Sequence, residues 1–187
     1  MIPDVLEHRL AEHCAPTLLG AKAASLLSLS REEFPELPEA LRRYNRTLYR
    51  TGLRFLILRE TSQRSLILVF RPALLRSRLN TAGAKALLQR FDYPETDCLG
   101  VLLRQLKKRF TPGGDFPHEI GLFLDYPPED VEAFIAGSSE CKLCGYWKVY
   151  DDVDGARERF ACYDACRLCL CRMLAAGNTI SQLLQTA

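Results

Sequence analysis

The chain has no apolar run near the roughly 20 residues that a membrane-crossing helix requires, so a spanning protein is not expected from its 187 residues. Its start, Met1-Ile2-Pro3-Asp4-Val5-Leu6-Glu7, lacks the basic and apolar regions of a secretory signal, and a cytoplasmic location follows as the expectation. Internal repeats and low-complexity tracts are missing, which excludes a repeat array. Acidic residues nearly vanish between Ala40 and Phe91, where eleven Arg and one Lys face Glu60 alone. That segment is +11 in a chain of net charge +2, leaving −9 for the remainder. In a reducing compartment the eight cysteines do not form a disulfide framework.

What is present is enough apolar material for one compact unit, because 48% of the residues are hydrophobic and the length suffices for a full core. Asp4 to His13 reads as an amphipathic helix interrupted by Cys14-Ala15-Pro16, and Thr17 to Leu29 as a second helix. Pro38 at a first helical position opens a third, running to Arg50 and stopped by Gly52. Leu53 to Arg59 and Ser65 to Arg71 read as an antiparallel hairpin, and the continuous run Leu66 to Phe70 predicts a central strand. Helical pattern follows through Leu79, over Thr81 to Arg90 and over Asp97 to Phe110, with a loop at Thr111 to Asp115.

Ile120 to Leu124 is expected as a strand, Pro127-Pro128-Glu129-Asp130 as a helix start, and Tyr146 to Tyr150 as another strand. A long helix from Asp154 to Ala176, ended by Gly177, and a short one from Thr179 to Leu184 close the chain. The sum is one α+β domain over 1–187: a small, mostly antiparallel sheet of about four strands with helices packed against it. It has a helical N-terminal third (1–52), a hairpin with helices (53–110) and a cysteine-rich strand-helix-strand-helix part (115–187).

Six of the eight cysteines lie between Cys141 and Cys171. Cys162, Cys166 and Cys169 share a helical stripe, since residues four and seven apart return to nearly the same angle, while Cys171 projects from the opposite side. Cys141-x-x-Cys144 with Cys166-x-x-Cys169 approximates the paired spacing of a four-thiolate zinc or iron-sulfur site. The alternatives are burial of these thiols as small hydrophobes and a redox-active pair. The arginines of the basic segment, among them Arg42, Arg46, Arg54 and Arg71, suit an anionic small molecule, because each guanidinium presents a planar fork to phosphate or carboxylate. They could equally pair with the acids elsewhere in the chain, and no nucleic-acid-binding motif accompanies them. Two places bring catalytic residue types together: His13 beside Cys14, and His118 beside Glu119.

His13-Cys14-Ala15-Pro16-Thr17-Leu18, Phe116-Pro117-His118-Glu119-Ile120-Gly121 with Tyr126-Pro127-Pro128-Glu129-Asp130-Val131, and Gly145-Tyr146-Trp147-Lys148-Val149-Tyr150 occur in that order. Together they resemble an uncharacterised bacterial family, mostly clostridial, catalogued as domain of unknown function 3793. The resemblance implies a cytosolic protein of an anaerobe and carries no catalytic residues with it. The leading expectation is therefore metal or iron-sulfur binding through Cys141, Cys144, Cys166 and Cys169, with an arginine-rich face for an anionic ligand or a redox partner protein. An enzyme with a His13, Cys14, His118 and Glu119 pocket is the second reading. A regulatory module binding nucleic acid or an acidic protein is the third.

Overall fold

Leu66-Ile67-Leu68-Val69-Phe70 offers no polar face to water, so it belongs in the middle of a sheet. The computed structural model, which describes residues 2–111 and 114–185, places it there. In chain order the elements are α1 (Ile2–Leu18), β1 (Ala24–Ser30), α2 (Leu37–Thr47), a 3-10 turn (Tyr49–Thr51), β2 (Arg54–Glu60), β3 (Arg64–Phe70) and α3 (Pro72–Leu79). Next come α4 (Ala82–Gln89), α5 (Leu99–Arg109), α6 (Ile120–Phe123), α7 (Pro128–Ile135), β4 (Leu143–Cys144), β5 (Lys148–Val149), α8 (Val153–Ala175) and α9 (Ile180–Gln185). The class is α+β, as expected. The strands fall into two antiparallel sheets, β1-β3-β2 and β4-β5, in place of one of about four strands.

The chain gathers into two compact units, Met1–Pro72 with Tyr163–Ala187, and Ala73–Cys162. In the first, β3 pairs with β1 from Ala24 opposite Phe70 to Ser30 opposite Arg64, and with β2 from Arg54 opposite Phe70 onward, with a bulge between Ile57 and Arg59. α1 lies on β1 and β3 and buries Leu6, Leu10, Cys14 and Leu18, which at four-residue spacing form one face. Burying each such leucine is worth about 1.5–3 kcal/mol. α2 covers β2, and Asn45 exchanges two 2.9 Å hydrogen bonds with the Phe55 backbone, accepting from its N–H and donating to its carbonyl. β2 is an edge strand, so this side chain occupies backbone groups that would otherwise invite a further strand. Leu170, Leu174, Ile180 and Leu184 close the same core.

Four local expectations are corrected. Pro16 does not interrupt the first helix, which continues to Leu18 and ends at Gly20, φ 87°. Thr17 to Leu29 is not a second helix: Ala24–Ser30 is β1, burying Leu27 and Leu29 while Ser28 faces solvent, the two-residue period of a strand. The pairing of its backbone with β3 overrides the helix propensity of its leucines and alanines. Ile120 to Leu124 is not a strand but the single-turn helix α6, and the strand expected over Tyr146 to Tyr150 shrinks to Lys148–Val149. Residues 112 and 113 of the expected loop lie outside the described residues.

Candidate functional site

The second unit carries a cleft of about 400 Å³ whose wall is almost wholly apolar. It is built from the segment that joins α5 to α7, from α7 itself and from the β4-β5 hairpin. Gly121 makes the first half of this geometry feasible: a Cβ there would come within 2.7 Å of Val131 Cγ2 and 3.2 Å of Tyr126, so only glycine lets α6 approach α7 this closely. Pro127 and Pro128 open α7 with no N–H to lose, and Glu129 and Asp130 favour its positive N-terminal end.

Asp130 is 3% exposed and serves as the anchor for the hairpin. Its Oδ2 accepts a 2.7 Å hydrogen bond from the Trp147 indole, and its Oδ1 accepts from the backbone N–H of Tyr150 at 2.7 Å and of Asp151 at 3.3 Å. A buried carboxylate persists only when donors replace its lost water, and three do so here. Trp147 then stacks on Tyr126, with centroids 5.2 Å apart, and meets Phe160 edge-on at 4.6 Å. Gly145 permits that contact, because a Cβ would lie 2.3 Å from the Phe160 ring. The back of the cleft is therefore a rigid aromatic wall.

Its mouth is polar at two points. The exposed His118 packs edge-on against Phe134, 5.2 Å between centroids, and the ammonium of the exposed Lys148 sits 5.5 Å over that ring. Both side chains line the cleft together with Phe116 and Phe134, each partly exposed. The arrangement can take a flat or chain-like apolar body inside and a negative group at the rim.

The residues singled out in the sequence have diverse placements. His118 lines the cleft, whereas its neighbour Glu119, 1% exposed, points inward, accepting from the Tyr93 hydroxyl at 3.1 Å and pairing with Arg109 at 2.6 Å. Burial, followed by the Glu119 charge, pushes the Tyr93 hydroxyl above its ordinary pKa. Glu119 is thus a tie holding the segment to α5. His13 is exposed, 4.0 Å from Glu12, while Cys14 is sealed in the first unit's core. Burial pushes its thiol up to about 12, against a weaker opposing pull from Lys22, so Cys14 remains a neutral thiol rather than a nucleophile.

Of the expected anion-binding arginines, Arg71 donates to the carbonyls of Thr17, Leu18 and Thr51, closing the end of α1, and Arg54 donates to those of Tyr49 and Leu53. Arg42 pairs with Glu39, and Arg46 is exposed. Cys141 and Cys144 are exposed in the second unit; Cys166 packs against the first unit's core, and Cys169 is exposed with its sulfur 3.9 Å from that of Met173. Among the described residues, no group of three or more His, Cys, Asp or Glu side chains is placed to hold one metal ion.

Sequence reasoning missed Asp130, Phe134 and Tyr126 as cleft builders. The available signal was Trp147, a lone indole whose N–H needs a buried acceptor once the ring is covered. Among the described residues no helix is long and apolar enough to cross a membrane. No curated protein and no solved structure matches the chain. The three sequence motifs, two of which form the walls of the cleft, fall within residues 10–184, which match the model of a protein family of unknown function, DUF3793, and the chain belongs to that family.

Proposed function

We propose that the second unit binds a small amphipathic ligand, an apolar and preferably aromatic body carrying one carboxylate or similar anion. The observation that carries this reading is the pairing of a roughly 400 Å³ apolar cleft with Lys148 at its rim. That volume lies within the range of sites for drug-sized molecules, about 300–1,000 Å³, which characteristically combine apolar walls with few polar groups. The His118 imidazole offers the anion a second hydrogen-bonding partner at the same rim. A ligand filling such a pocket gains chiefly from burial, and the charged rim selects acids over neutral analogues.

Trp147 is the sole tryptophan and lines the cleft, so its emission reports occupancy without a label. Titration with 2-naphthoate is expected to shift or quench that emission, and the neutral 2-naphthalenemethanol to do so at higher concentration. Absence of any emission change and of any heat by calorimetry, for both compounds, would overturn the reading. A zinc or iron-sulfur centre at Cys141 and Cys144 stands as a second proposal, supported by the exposure of both thiols beside β4. It needs further ligands to complete the metal's coordination.

A further inference from the structure

The polar face of α2 in the first unit is unusual in charge and in what stands at its end. Leu37, Leu41, Tyr44 and Leu48 turn inward, and Arg42, Arg43 and Arg46 occupy the opposite face, with Arg50 about one turn further on in the 3-10 turn. Arg42 is neutralised by Glu39. Among the described residues Arg43, Arg46 and Arg50 have no carboxylate partner; all three are exposed, Arg43 and Arg46 on the outer face of α2 and Arg50 in the turn that follows it.

Tyr49 lies between Arg46 and Arg50 in sequence and keeps 65% of its surface exposed. Its ring is not loose. The Arg54 guanidinium lies 4.2 Å from the ring centroid, and the same group is fixed by donating to the Tyr49 carbonyl at 3.2 Å and the Leu53 carbonyl at 2.6 Å. Gly52, at φ 74°, makes the left-handed turn that brings Arg54 back beneath the ring. One face of the tyrosine is thus backed by a pinned cation, and the exposed ring lies between Arg46 and Arg50 in the chain.

We propose that this surface binds single-stranded nucleic acid, with one base stacked on the open side of Tyr49 and successive phosphates on Arg43, Arg46 and Arg50. A positive track combined with an aromatic platform is the chemistry by which proteins hold unpaired strands, because every base has a π-face whatever its identity. A duplex keeps its bases stacked on one another and leaves Tyr49 nothing to accept. An acidic peptide offers carboxylates but no flat ring, and an anionic membrane would reward further exposed apolar side chains rather than a ring backed by a guanidinium.

The test is fluorescence anisotropy of the full chain with a labelled oligo-dT of about 16 nucleotides, the upper end of known site sizes, across a series of salt concentrations. Binding is expected to weaken with salt at a log-log slope near −2, as about 0.7 counterions per phosphate contact predict for three contacts. Tyr49→Ala is expected to weaken it about 5- to 150-fold, and Tyr49→Phe to restore most of the loss. The triple variant Arg43→Ala, Arg46→Ala, Arg50→Ala should abolish the salt dependence. All these side chains are exposed, so an unchanged thermal midpoint shows that the variants fold. No binding at low salt overturns the proposal. So does an unaffected Tyr49→Ala variant, or equal retention by the duplex, by polyglutamate or by phosphatidylserine vesicles, each of which marks a mere polyanion patch.

Discussion

In each unit a buried carboxylate ties elements together through one side-chain donor and backbone N–H groups, and the two, Glu7 and Asp130, are put to different ends. In the first, Glu7 accepts from the Tyr44 hydroxyl at 3.1 Å and the Ile180 N–H at 3.0 Å, tying α1, α2 and α9 together inside a packed core. In the second, Asp130 holds Trp147 and the β4-β5 hairpin against α7, and the result is a wall with a space in front of it. Their hydrogen bonding is similar, so burial of a charged group does not by itself mark a site. The difference lies in the surroundings: Glu7 belongs to a unit whose core is filled mainly by aliphatic side chains of mixed shape, whereas flat rings held edge-on and stacked near Asp130 leave a slot.

Removing either carboxylate sharpens that contrast. Asp130→Ala leaves the Trp147 and Tyr150 N–H groups without acceptors, and Glu7→Ala does the same to Tyr44 and Ile180. Each should cost about 3 kcal/mol in urea unfolding, since buried donors left unpaired cost about 1–3 kcal/mol apiece. Only Asp130→Ala should also abolish naphthoate binding. Loss of binding in both variants would break the comparison.

A smaller effect is expected at Gly121, where an alanine methyl must displace Val131. Gly121→Ala should destabilise by about 1–3 kcal/mol, the usual cost of overpacking, and weaken naphthoate binding, read by Trp147 emission. In the first unit the corresponding probe is Cys14. Its folded pKa is raised from 9.0 to about 12 while the unfolded thiol ionises near its ordinary value. The unfolded state therefore releases a proton that the folded state keeps, and stability present below pH 9 is lost as pH rises from about 9 to 12. Denaturant midpoints measured across that window should fall with pH, and less steeply in Cys14→Ala.

Lys148→Ala should leave stability unchanged within about 0.5 kcal/mol, as exposed substitutions do. It should reduce the preference for naphthoate over its alcohol by about two- to fivefold, the worth of a single exposed charge contact. The least is expected of the double variant Cys141→Ser, Cys144→Ser, whose side chains are exposed. Where no metal is held there, its thermal midpoint should match that of the parent chain. A fall of several degrees, together with loss of zinc or iron from anaerobically purified protein, would establish the metal centre.

The β2-β3 hairpin, the basic segment, the cysteine helix ending at Gly177 and the family were all legible in the sequence, because each rests on local patterning. Hydrophobic period, helix-stopping glycine and motif order need no knowledge of distant residues. Of the site, His118 and the motif that carries Trp147 and Lys148 were readable in the same way. Tertiary structure alone decided that Ala24–Ser30 is a strand, since its Leu and Ser residues fit either period until β3 pairs with them. It alone sent Glu119 inward and His118 outward, and sealed Cys14 while leaving Cys141 open. The cleft belongs to the same class of fact. It exists because Asp130 captures an indole seventeen residues away, and a hydrogen bond across that span depends on where the intervening chain turns, which no local spacing records.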